Sequence, residues 1–98
     1  MSHATQEVTT VRLPEEVLNE EGRHATKKLL KQSGARIIHL DLAGIRFLTA
    51  RGLGGLVFLH RELRARGGAL VLVNVSNAIG EVLALTRLVE VLDVRAKQ

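Results

Sequence analysis

Apolar residues along this chain recur with two periods in turn, every second position and then every third or fourth, separated by short glycine-bearing breaks. Residues 7–13 read as a strand. Val8 and Thr10 share one side, Val11 and Leu13 fall out of strict register with them, and Pro14 closes the segment, which suits a sheet edge. Asn19 then stands before Glu20 and Glu21, while Lys27, Lys28 and Lys31 crowd the far end and Gly34 follows. An N-cap, acids at the positive end of the helix dipole, bases at the negative end and a glycine stop predict a helix over residues 20–32.

Residues 36–42 set Ile38, Leu40 and Leu42 on one face and Ile37, His39 and Asp41 on the other, the mixed pattern of an interior strand. Ala43 and Gly44 break it. A second helical stretch presents Leu53, Leu56, Val57, His60 and Leu63 at spacings of three and four, and Gly67-Gly68 ends it. Residues 69–75 form a nearly continuous valine-rich run, the signature of a strand buried on both faces of a parallel sheet. Ser76 or Asn77 can cap a third helix striped with Ile79, Val82, Leu83 and Thr86; Leu88, Val91, Leu92 and Val94 then lead into a last short strand or extended tail. Strands alternating with helices predict right-handed crossovers and a small, mostly parallel α/β sheet with helices packed against it.

At 98 residues, 46% of them apolar, the chain suffices for one hydrophobic core, so residues 1–98 are expected to form one domain, with 1–6 as an extra strand or a disordered lead. The absence of cysteine removes disulfides, thiolate catalysis and cysteine-ligated zinc, and suits a reducing compartment. With neither a signal-peptide core nor a membrane-length apolar run, the expected location is the cytoplasm. A net charge of +4 raises the question of nucleic acid. The basic residues, however, are dispersed among acids, and Phe47 and Phe58 are the only aromatics, so neither a stacking platform nor a groove-reading motif is present.

Catalytic chemistry finds little support. His3, His24, His39 and His60 lie far apart and form no metal-ligand pair at helical spacing; His60 falls on an apolar stripe, His39 on the less apolar face of its strand. No hydroxyl sits in a nucleophile elbow, and no carboxylates pair for acid–base work, so neither an enzyme nor a cofactor is expected. Gly52, Gly54 and Gly55 open the second helix where N–H groups could face an anion, but no phosphate-loop or dinucleotide pattern completes them. Close approach of that helix to the sheet is the better account.

The strand at 37–42, the turn at 43–48 and Gly52-Leu53-Gly54 opening a helix resemble the central signature of the STAS domain, the module of sulphate transporters and bacterial anti-sigma factor antagonists. The double glycine ahead of a buried strand at 66–74, the helix at 76–85, and Thr86-Arg87-Leu88 with Val94 agree with it, and Leu18-Asn19 stands where the family often has a Leu-Asp pair. The resemblance implies a four- or five-stranded, parallel or mixed sheet with helices mainly on one face. It also implies a protein-binding switch at the start of the second helix, here Asn19, Phe47, Thr49, Ala50, Arg51, Gly52, Leu53 and Gly54. The partner it implies is an anti-sigma factor or serine kinase of the histidine-kinase-like ATPase fold, and the chain itself would be a monomer or weak dimer.

In phosphorylatable members an acid precedes a serine or threonine acceptor. Here those positions are Thr49 and Ala50, so the acceptor is missing, and Thr49 reads as an N-cap before it reads as a displaced acceptor. Arg51 replaces a usually small residue and places a cation near the positive end of the helix. The family also supplies other roles: a non-phosphorylated subunit of a lipid-transport or signalling scaffold complex, or a nucleotide-binding module.

Overall fold

The computed structural model describes residues 8–97. In chain order these give β1 (Val8–Arg12), α1 (Glu15–Ser33), β2 (Ile37–Asp41), α2 (Ala50–Ala65), β3 (Ala69–Val75), α3 (Asn77–Leu85), a 3-10 turn (Leu88–Glu90) and β4 (Asp93–Ala96). The sheet runs β1-β2-β3-β4, every pair parallel. With strands in sequence order, right-handed crossovers carry all three helices to one face. Burial follows the pleat: Ile38 and Leu40 are fully buried on the helix side, while Ile37, His39 and Asp41 on the other face are half-buried. The expected α/β architecture is the observed one. An extra strand from residues 1–6 lies outside the described residues.

The core gathers Leu18, Leu29 and Leu30 of α1, Leu56, Leu59 and Leu63 of α2, and Ile79 and Leu83 of α3 over Ile38, Leu40, Leu70 and Leu72. In β3 three successive side chains, Leu70, Val71 and Leu72, are buried, as its unbroken apolar run requires. Asn74 near the end of this strand has φ of 55°, and the β3–β4 register shifts between Leu72 and Val75. That is a bulge built on a residue type that tolerates the left-handed region. Ser76 caps α3 by accepting from the Ile79 N–H at 3.2 Å.

Two expectations fail. The first helix begins at Glu15, not Glu20: Pro14 occupies its N-cap position, Glu15 and Glu16 fill the first turn, and Asn19 is buried inside the helix. Proline suits a helix start because it lacks an N–H that would have no partner there. The apparent cap at Asn19-Glu20-Glu21 coincides with an interruption, since Glu21 departs from helical geometry (φ −128°, ψ 30°). The buried stripe of α2 is also turned, carrying Gly52, Gly55, Leu56, Leu59 and Leu63 while Val57 and His60 are half-buried.

Candidate functional site

The segment between β2 and α2 carries no regular structure until Ala50. Loops of this kind hold one conformation only when their backbone groups find partners. Asn19 supplies them. Its Nδ2 donates to Phe47 O at 2.9 Å and its Oδ1 accepts from the Thr49 N–H at 2.8 Å, so one buried amide pairs with the loop as a neighbouring strand would. Thr49 completes the junction: its hydroxyl donates to Asn19 O at 2.7 Å and accepts from the Gly52 N–H at 3.1 Å, capping α2. Glu15 adds a second tie. It accepts from the Arg46 N–H and from the Arg46 guanidinium, and the backbone hydrogen bond, foremost among these contacts, holds its carboxyl below the usual carboxylate range.

Glycines bring α1 and α2 close enough for these bonds. A Cβ on Gly22 would sit 2.1 Å from Arg51 O, one on Gly55 would lie 2.6 Å from the Gly22 carbonyl, and one on Gly52 would meet Asn19 Oδ1 at 2.4 Å. The close approach expected for the second helix is therefore made to α1 rather than to the sheet. Gly54 differs from the others, because a Cβ there would meet nothing within 4 Å. It borders an open groove of about 770 Å³ between the two helices, lined also by Arg23, Arg51, Phe58 and Arg61. Arg23 stacks its guanidinium 4.9 Å from the centre of the Phe58 ring, a cation–π contact that forms part of the wall.

The eight residues singled out from the sequence thus separate by position. Phe47, Ala50, Arg51 and Gly54 are exposed; Thr49 is half-buried at the cap; Leu53 is half-buried against the core; Asn19 and Gly52 are buried. Phe47 keeps 52% of its surface in solvent, a large apolar side chain held outward by a loop that is itself fixed. Arg51 donates to Glu20 O at 3.3 Å, which meets the broken turn of α1 with a cation. Asn19 is no cap but a positioning residue. Its role was hidden because its partners lie about thirty residues further along the chain. Glu15 and Gly22 were missed as well, and no local pattern marks either of them.

Below the site, Asp41 at the end of β2 accepts from the Ala43 N–H at 2.9 Å, from Arg12 of β1 at 3.0 Å and from Asn74 of β3 at 3.1 Å. The Ala43 hydrogen bond, followed by those from Arg12 and Asn74, holds its carboxyl below the ordinary range. Among the histidines, His24 lines the groove and His39 sits on the half-buried face of β2, while burial, reinforced by Arg64, lowers the pKa of His60. Among the described residues, no three metal-ligating side chains gather, and no helix is long and apolar enough to cross a membrane.

Comparison with solved structures places this fold beside two of one Thermotoga maritima protein. The NMR structure superposes with a TM-score of 0.77 at 23% identity, over 99% of this chain and 87% of that one. The crystal structure, of a candidate anti-sigma factor antagonist, gives 0.71 at 20% identity over 89% and 72%. A sulfate transporter family protein from Wolinella succinogenes gives 0.78 at 18% identity over 90% and 75%. No curated protein matches the sequence. The model of the STAS domain matches residues 2–97, very nearly the whole sequence, and the chain belongs to the STAS domain family.

Proposed function

We propose that this chain is a regulatory protein-binding module of the anti-sigma antagonist type, presenting Phe47, Ala50, Arg51 and Gly54 to a protein partner of the histidine-kinase-like ATPase fold. The observation that carries the reading is the fixed loop. Asn19, Thr49 and Glu15 hold a segment with no regular structure so that it displays Phe47 just ahead of α2, whose first turn carries the exposed Arg51. A surface ordered before binding loses little conformational freedom on contact, which is how small interfaces gain affinity. Gly54 extends this surface: packing does not require a glycine there, and its bare backbone leaves room for a partner side chain in the groove.

Ala50 is exposed at the first position of α2 and carries no hydroxyl, so phosphate cannot be placed where the family's acceptor stands. Thr49 is a poor substitute, because its oxygen already donates to Asn19 O and accepts from Gly52 N. The module therefore binds without a phosphorylation switch at this position, and the expected setting is the cytoplasm.

Affinity capture with the full chain, followed by incubation with ATP and intact-mass measurement, tests this. The expected result is an ATPase-fold partner retained by the wild type, lost with Phe47→Ala or Arg51→Ala, and no added phosphate. Ala50→Ser should gain phosphate and release the partner. Capture unaffected by both substitutions overturns the assigned surface; recovery of a membrane transport ATPase alone replaces the signalling role with a transport-complex one.

A further inference from the structure

Of the five large apolar side chains exposed among the described residues, Val8 and Phe47 stand apart and the other three lie in one stretch. Leu85, Val89 and Val91 are 84%, 41% and 57% exposed, all between the end of α3 and the residue that follows the 3-10 turn. That stretch leads directly into β4, which closes one edge of the sheet. The Lys97 N–H donates to Val75 O at 2.9 Å, so odd-numbered residues of this strand face β3 and, by alternation, Val94 and Ala96 turn their N–H and C=O groups outward. An edge of this kind is a template for another strand unless charge protects it.

The charges on β4 do not protect it from its own kind. Asp93 and Arg95 both project to the face opposite the helices. They are about half exposed and touch each other at 3.5 Å along the strand. Laid antiparallel on a second β4 about a two-fold axis at Val94, the two Val94 residues exchange both backbone hydrogen bonds. Asp93 of each copy then stands opposite Arg95 of the other, in the closer, non-hydrogen-bonded kind of pair. Two charges of one sign would repel in this register. Opposite signs two residues apart make the strand complementary to itself, as an isologous contact requires.

We infer that a second copy of this chain docks on β4 by antiparallel pairing centred on Val94, with Leu85, Val89 and Val91 covering the seam on the helix side. The contact lies beyond α3, away from the α1–α2 junction, so both copies keep the surface of residues 47–54 free. The inference is independent of the partner proposed for that surface.

Sedimentation velocity over a concentration series tests it. The wild type should show a concentration-dependent dimer, and Asp93→Arg and Arg95→Asp should each raise the dissociation constant by roughly tenfold or more, since attraction becomes repulsion at two symmetric pairs. Mixed in equal amounts, these two variants should form a heterodimer, because one then carries two bases opposite two acids. The double swap D93R/R95D should dimerise as the wild type does. All these positions are exposed, and circular dichroism confirms that each variant is folded. A wild type that stays monomeric up to its solubility limit, single variants that dimerise undiminished, or a mixture that does not associate each overturns the inference.

Discussion

Asn19 is an asparagine with 5% of its surface exposed, and both ends of its amide are engaged by the backbone of one loop. Removing it leaves the part-buried Phe47 carbonyl and Thr49 N–H without their partner; a fully buried unpaired group costs about 1–3 kcal/mol and a part-buried one less, because water reaches it. Asn19→Ala is therefore expected to lower stability by about 1–3 kcal/mol, read as a shift in the urea midpoint at unchanged slope. It should also weaken partner capture beyond what the stability loss explains, because the displayed segment loses its fixed position. Asn19→Asp keeps the acceptor for Thr49 but exchanges the donor to Phe47 O for a repulsive oxygen. It should fall between the wild type and alanine on both measures.

The crossing of α1 over α2 works at the scale of whole elements. Backbone meets backbone there, so Gly22→Ala must move Arg51 O, which no rotamer change can do. Overpacking of this kind costs roughly 1–3 kcal/mol, and the same substitution at Gly54, where space is open, should cost nothing through clash and instead gain helix propensity of up to about 1 kcal/mol. Thermal midpoints of the two variants should thus move in opposite directions. These elements also show what the sequence makes legible. The β2 and β3 strands were readable because burial on a pleated sheet imposes its own alternation or continuity, and α3 because Ser76 is a local cap. The start of α1 was not, because Asn19-Glu20-Glu21 imitates a cap and the residues that explain Asn19 lie in another segment. The glycines at 52 and 55 signalled close approach correctly, but a glycine does not name the element that approaches it.

Across the whole molecule, Asp41 links the carboxyl ends of three strands beneath the site. Its folded pKa lies below its ordinary value of 3.8. Its contribution is therefore complete at pH values above that ordinary value and disappears as pH falls through the folded one. Asp41→Asn should be less stable than the wild type at neutral pH, and the difference should close in strong acid, where the wild-type carboxyl is itself protonated. Denaturant midpoints across a pH series check this; a gap that persists unchanged at acid pH would assign the effect to shape instead of charge. Arg12→Ala should remove part of the same dependence, since the guanidinium contributes after the Ala43 amide.

The contact between Gly22 and Gly55 also has a meaning in time. Helices separated by side chains can breathe apart by small rotamer adjustments, one turn at a time. These two touch through their main chains and lack that slack, so opening either one means opening both. The loop before α2 is tied to Asn19 and Glu15 of α1, so opening of the helix pair is expected to release it as well, an event whose free energy native-state hydrogen exchange at the Thr49 amide would read.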